Sequence, residues 1–183
     1  MDNGASSYRR FLLGDEAALD EILERYRLHL IFFIDRIVHD PDTAEDIAID
    51  VFVYLLTHPR RYHFKVSLKT YLFMLGRSRA LDYLRHRKVL DLVALSEAHG
   101  IRDEQAALEE LLLTDDRKRQ VHTALAKLPE DMRTAVHLIY FEDMTYEEAA
   151  RILKKNRKQV DNLLYRAKKE LRAILGKDGE LSL

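Results

Sequence analysis

Four cationic side chains fall within five positions at Lys154, Lys155, Arg157 and Lys158. They open the stretch LKKNRKQVDNLLYRAKKEL, residues 153–171, in which Asp161 and Glu170 are the only acids. Lysine holds an anion as a point charge, and arginine holds one through a planar fork of donors. The chemistry these residues can do is therefore to grip something anionic. Bond-making chemistry has no comparable signature. The chain has no cysteine, so thiolate metal sites and disulfides are excluded. Its eight histidines are scattered, and neither a phosphate-cradling glycine loop nor a serine elbow is present. No catalytic residue, no metal ligand and no cofactor is expected.

The elements around the cluster sharpen its reading. In MTYEEAARIL, Thr145 is followed three residues later by Glu148, and in NRKQ, Asn156 is followed by Gln159. Each pair has the form of a capping box, in which side chain and backbone reciprocally satisfy the first amides of a helix. The spacing predicts a short helix from Tyr146 to about Leu153, a tight turn, and a longer helix from about Arg157 to Leu175. That is the outline of a helix-turn-helix. On the longer helix Val160, Leu163, Leu164, Ala167, Leu171 and Ile174 share one stripe, which predicts their burial. Lys158, Asp161, Asn162, Tyr165, Arg166 and Lys169 then face outwards. Asn and Arg can read base edges, whereas Lys can hold phosphate. Lys155, Arg157 and Lys158 lie at the helix N-terminus, where backbone amides and the helix dipole already favour an anion.

Charge is unevenly distributed along the chain, although the net value is only −1. Residues 1–57 carry a balance of −7, 58–88 of +8, 89–116 of −7 and 117–183 of +5. Two basic segments separated by an acidic one suggest two anion-facing surfaces. Three prolines and six glycines among 183 residues argue against a loop-rich β fold. Asp15, Glu16, Asp20, Glu21 and Glu24 are incompatible with a signal peptide, and no apolar run approaches the ~20 residues of a membrane span. A cytoplasmic chain without membrane insertion is expected.

Apolar residues recur at helical spacing almost throughout. Leu19, Ile22, Leu23, Tyr26, Leu30, Phe33, Ile34 and Ile37 form one long stripe. Asp40 is a good N-cap with Pro41 at the first helical position, and the next helix is expected to bury Ala44, Ile47, Ala48, Val51, Leu55 and Leu56. THPRRYHFKVS reads as a basic, aromatic loop, followed by a third helix from near Ser67 to about Lys88. Residues 89–115 read as an acidic linker, with one helix around Gln105–Leu113. The tail 176–183 reads as frayed. The expected fold is all-α: two small helical domains, an N-terminal bundle and a C-terminal four-helix domain with the helix-turn-helix, joined by the linker.

The segment MTYEEAARILKKNRKQVDNLLYRAKKELRAIL resembles the promoter-reading helix-turn-helix of bacterial extracytoplasmic-function (ECF) RNA polymerase sigma factors. GDEAALDEILERYRLHLIFFIDRIVHDPDTAEDIAIDVFVYLL, with SLKTYLFMLGRSRALDYLRHRK, resembles the other domain of that family. The likeness covers roughly residues 8–88 and 116–175. It implies a sigma factor that directs core RNA polymerase to specific promoters. Residues 1–88 would be region 2, binding the polymerase and the −10 element. The acidic linker, residues 89–115, would thread into the polymerase. Residues 116–175 would be region 4, reading the −35 element as duplex through Lys155, Arg157, Lys158, Asp161, Asn162, Tyr165, Arg166 and Lys169.

The resemblance also implies that the helix carrying Asp42–Leu56 docks on the polymerase clamp, offering Asp46, Ile49, Asp50 and Val53. The basic segment would hold the −10 element as single strand through Arg61, Tyr62, His63, Phe64, Lys65, Lys69, Arg77, Arg85, Arg87 and Lys88. Cations along a strand with aromatic pockets for unstacked bases suit that task. An anti-sigma factor is an implied partner. Lys154 stands where many relatives have glycine, Lys155 where an apolar residue is common, and Asp161 where a basic base-reader is common. The promoter preference should differ accordingly. The alternatives are a helix-turn-helix regulator that binds DNA without polymerase, and a helical enzyme.

Overall fold

The computed structural model describes residues 4–94 and 116–176. Helices are the sole regular structure among them, and they fall into two compact units that divide between His99 and Gly100. The first unit holds α1 (Ala5–Leu12), α2 (Ala17–Val38), α3 (Pro41–Thr57), a 3-10 turn (Pro59–Arg61) and α4 (Leu68–Ala94). The second holds α5 (Asp116–Ala126), α6 (Glu130–Val136), a π-turn (His137–Phe141), α7 (Tyr146–Leu153) and α8 (Arg157–Leu175).

In the first unit α2 is the centre, packing on α1, α3 and α4. It buries Ile22, Tyr26, Leu30, Phe33, Ile34 and Ile37, the expected stripe, while Leu19 and Leu23 are half covered. Burial of each large apolar side chain favours folding by roughly 1.5–3 kcal/mol. Asp40 caps α3 by accepting from the Thr43 amide at 3.3 Å and the Thr43 hydroxyl at 2.9 Å. The hydroxyl bond, then the amide bond, holds the Asp40 carboxyl below its ordinary range. α3 buries the predicted row, except that Leu56 stays half covered. Ser67 caps α4, its hydroxyl accepting from the Thr70 amide at 3.1 Å.

α4 and α2 approach closely at Gly76. A Cβ there would lie 2.9 Å from Leu30 Cδ1 and 3.2 Å from Ile34 Cδ1. Glycine serves this helix interior because a neighbouring helix fills the space a side chain would need.

Two boundaries differ from the sequence reading. α4 runs to Ala94 rather than ending at Lys88, carrying Val89 and Leu90, both exposed, past the expected start of the linker. Leucine and valine with a following Asp-Leu-Val-Ala simply continue a helix that nothing interrupts. α1 is a further element, packed on α2, that the stripe starting at Leu19 does not announce. The expected helix at Gln105–Leu113 and the tail from Lys177 lie outside the described residues.

The second unit packs α8 against α5, α6 and α7. Its core includes Leu128, Met132, Ala135, Leu138, Ile152 and Val160. α6 passes into the π-turn, where the Glu142 amide donates to the His137 carbonyl at 3.1 Å. Among the described residues no helix is long and apolar enough to cross a membrane.

Candidate nucleic-acid interface

Both predicted capping boxes form. The Glu148 amide donates to Thr145 Oγ1 at 3.2 Å, and the Thr145 amide donates to Glu148 Oε2 at 3.0 Å. The Gln159 amide donates to Asn156 Oδ1 at 2.8 Å, and the Asn156 amide donates to Gln159 Oε1 at 2.8 Å. Between them α7 ends in a Schellman arrangement, the Lys155 amide donating to the Ala150 carbonyl at 2.9 Å. That ending requires a left-handed residue, and Lys154 supplies it with φ 55° and ψ 42°. A lysine does here what glycine does without strain.

The phase of α8 follows. Val160, Leu164, Ala167 and Leu171 are buried, Leu163 is half covered, and Ile174 is exposed, contrary to the expected stripe. Ile174 lies in the last turn of α8. Lys158, Asp161, Asn162, Tyr165, Arg166 and Lys169 are all exposed, with Tyr165 at 72%. A row of polar, cationic and aromatic groups thus stands on one face of a rigid helix.

The N-terminal cations divide into two kinds. Lys155 is half covered and pairs with Asp131 at 2.8 Å, which ties the turn back to α6. Arg157 pairs with Glu147 at 3.2 Å and lies over the Tyr146 ring, 6.0 Å from its centre. The Arg157 pair is well exposed on both sides, so water screens it and a phosphate can replace the carboxylate. Lys154 and Lys158 are exposed.

The other basic segment is built differently. Tyr62 is 3% exposed, and its hydroxyl donates to the Val66 carbonyl at 2.7 Å. Its ring packs 4.6 Å from Phe64, 5.0 Å from Tyr71 and 5.6 Å from Tyr8, measured between centres. Tyr62 is therefore the floor of the loop rather than a surface for bases. Phe64 sits above it, half covered, with φ 57°. A left-handed backbone at a bulky residue marks a conformation held by its surroundings. Arg61, His63 and Lys65 on either side are exposed. Burial raises the Tyr71 hydroxyl above its ordinary range, with Tyr54 adding and Arg61 opposing.

Along α4, Arg87 and Lys88 are exposed, and Arg85 is exposed and paired with Asp82. Lys69 is half covered, 5.7 Å over the Phe73 ring. Arg77 is only 9% exposed, which removes it from the surface where the sequence reading placed it. It shares a side of α4 with Phe73 and Ala80, both fully buried.

On α3, Asp46, Ile49, Asp50 and Val53 are all exposed, and the two apolar residues keep 48% and 49% of their surface in water. Asp50 pairs with Arg79 at 3.5 Å, and Arg79 also lies over Tyr54. The sequence reading did not single out α1. Tyr8, with 0% exposure, donates its hydroxyl to the Leu55 carbonyl at 2.8 Å, and Arg9 lies 4.7 Å over the Phe64 ring. Burial pushes the Tyr8 hydroxyl up to about 12, with Tyr71 adding to the shift. The signal in the sequence was faint: Tyr8, Phe11 and Leu12 form less than three turns of pattern. Among the described residues no cluster of acids and histidines could hold a metal ion.

A capped helix-turn-helix in one helical unit, and a basic loop on buried aromatics in another, define a two-domain helical DNA-binding protein. Residues 22–89 match the model for Sigma-70 region 2, and residues 118–171 match that for Sigma-70 region 4. The RNA polymerase sigma-H factor of Pseudomonas aeruginosa is 27% identical over 167 residues, covering 86% of each chain. The ECF RNA polymerase sigma factor SigM of Bacillus subtilis is 27% identical over 164 residues, covering 85% of this chain and 94% of that one. In fold, the chain is similar to the sigma factor RpoE of Bartonella quintana, solved with the anti-sigma factor NepR. That likeness has a TM-score of 0.69 at 22% identity and covers 88% of this chain and 98% of that one. CnrH, solved with the cytosolic domain of CnrY, has a TM-score of 0.66 at 21% identity, covering 97% of each chain. The chain belongs to the sigma-70 family, as an ECF RNA polymerase sigma factor, and so directs core RNA polymerase to specific promoters for transcription initiation.

Proposed function

We propose that the two units divide promoter recognition as follows. Residues 1–88 act as region 2: α3 docks on the polymerase clamp through Asp46, Ile49, Asp50 and Val53. The loop Arg61–Lys65 with Lys69, Arg85, Arg87 and Lys88 holds the −10 element as single strand. Residues 89–115 thread into the polymerase. Residues 116–175 act as region 4, in which Lys158, Asp161, Asn162, Tyr165, Arg166 and Lys169 read the −35 duplex. Arg157 holds phosphate at the start of α8 together with Lys158, and Lys155 lies beside them, tied to Asp131.

The observation that carries this reading is the exposed face of α8, set in place by two capping boxes and a tight turn. Asn and Arg side chains there can reach base edges, and Asp161 can accept from a cytosine amino group. The protein works in the cytoplasm and acts by binding rather than by catalysis. An anti-sigma factor restrains it by covering the polymerase- and DNA-facing surfaces; the structurally similar sigma factor RpoE was solved with the anti-sigma factor NepR.

Capture of core polymerase by the tagged chain, followed by promoter mobility shift, tests the scheme. Core should be retained, and the holoenzyme should bind one promoter class tightly. The free chain should bind duplex weakly at physiological salt. Its two acidic segments repel DNA over about 8–10 Å, and a closed duplex does not offer the −10 strand. Nanomolar binding of one operator by the free chain, without core capture, would instead mark a regulator independent of polymerase.

A further inference from the structure

The loop at Tyr62–Val66 is held from a direction that the region 2 match, starting at residue 22, does not include. Tyr8 of α1 is fully buried, with its ring 5.6 Å from Tyr62 and 6.2 Å from Phe64. Its hydroxyl reaches past the loop to the Leu55 carbonyl, in the last turn of α3. One side chain thereby joins α1, the end of α3 and the loop that follows it. Next to it, the exposed Arg9 places its guanidinium 4.7 Å over the Phe64 ring. Phe64 is left-handed at φ 57°, a conformation that a phenylalanine keeps only when its neighbours impose it. Its ring packs against the rings of Tyr62 and Tyr8, with the Arg9 guanidinium over one face.

We propose that α1 is a positioning element for −10 recognition: Tyr8 and Arg9 fix the Phe64 ring, and with it the shape of the pocket offered by His63, Phe64 and Lys65 to an unstacked base. This rests on the reading of that loop as the holder of the −10 strand. Removing Arg9 frees the ring to swing, so the pocket accepts bases it otherwise rejects. The effect belongs to discrimination between bases, not to overall affinity. A stacked guanidinium at a partly exposed site changes an equilibrium by about two- to five-fold.

The test uses reconstituted holoenzyme and a promoter series in which each −10 base is varied in turn. Phe64→Ala is measured first and should flatten the preference at one position. If it changes no preference, the loop is not the −10 reader and the proposal falls with that reading. Given an effect of Phe64→Ala, Arg9→Ala should narrow the ratio between best and worst base at the same position by about two- to five-fold. It should have little further effect in the Phe64→Ala background. Tyr8→Phe keeps the ring and loses only the bond to Leu55, and should act in the same direction. Circular dichroism and core binding should be unchanged for Arg9→Ala. Uniform weakening on every sequence, with the salt dependence reduced by about one phosphate contact, would make Arg9 a backbone contact and overturn the proposal. Additive effects of Arg9→Ala and Phe64→Ala would overturn it too.

Discussion

The two basic surfaces of this chain are made by opposite means. The α8 surface is assembled from neighbours in sequence. A cap at Asn156, a left-handed Lys154 and helical phase are enough to line up Lys158, Asn162, Arg166 and Lys169. The loop surface is assembled from distant parts. Phe64 owes its place to Tyr8, Arg9, Tyr62 and the end of α3. The first kind of surface should respond sharply to changes of its outward row. The second should respond to changes that never touch DNA.

The largest effect is expected on α3. Ile49 and Val53 hold apolar surface in water one turn apart, with no place in the core of their own unit. Ile49→Lys with Val53→Lys should weaken core polymerase binding by roughly a hundredfold or more, as loss of two central apolar anchors does in other interfaces. Circular dichroism and melting temperature should stay near those of the parent chain. Unfolding of the double variant would show that these residues serve the first unit's interior instead.

Next come the readers on α8. Asn162→Ala and Arg166→Ala should each cost the holoenzyme roughly 1–3 kcal/mol on its −35 element, with relaxed preference at the contacted base pair. Both side chains are exposed, so the fold should not change. Unaltered affinity in both variants would remove α8 from the role of reader and leave the loop surface as the sole source of sequence preference.

A pair of glycine exchanges then separates tertiary from local control. In the first unit, Gly76→Ala should destabilise. Alanine gains about 1 kcal/mol of helix propensity over glycine, but forcing a methyl to 2.9 Å from Leu30 overpacks a fully buried site, which costs about 1–3 kcal/mol. In the second unit, Lys154→Gly should stabilise by about 1 kcal/mol, because the residue is already left-handed and glycine adopts that backbone without strain. Thermal melts of the two variants should shift in opposite directions. A stabilised Gly76→Ala would mean that Leu30 and Ile34 can yield, and that the first unit packs less tightly than its burial indicates.

The same division explains what the sequence could tell. Capping residues, phase and turn length are local, so α7, the turn and α8 were legible to the residue, down to both boxes. The failures are tertiary. Arg77 looked like another cation in a basic run, yet the side of α4 it shares with Phe73 and Ala80 covers it. Tyr62 looked like a base-stacking ring, yet a contact with Tyr8, 54 positions earlier in the chain, helps to bury it. Ile174 fitted the apolar stripe, but in the last turn of α8 it keeps 41% of its surface exposed. Periodicity tells which residues share a side; only packing tells whether that side is covered.

The smallest effect distinguishes two lysines three positions apart. Lys155 and Lys158 look alike in the sequence, and both were expected to hold phosphate. In the structure Lys155 is half covered and 2.8 Å from Asp131, whereas Lys158 is exposed on the outer face of the first turn of α8. A lysine near phosphate releases about one counterion on binding, so its removal lowers the slope of log affinity against log salt by about one. Lys158→Ala should show that full change. Lys155 already has a carboxylate beside it, so the near-neutral pair neutralises little phosphate charge and displaces few of the counterions condensed on the DNA. Lys155→Ala should therefore change the slope by much less, and should lower the stability of the second unit by up to about 1 kcal/mol through loss of the tie to α6. Salt titrations of holoenzyme on the −35 duplex, with melts of the two variants, check both halves. Equal slopes for the two variants would show that DNA draws Lys155 away from Asp131, and that this part of the α8 surface is set by its ligand rather than by its own fold.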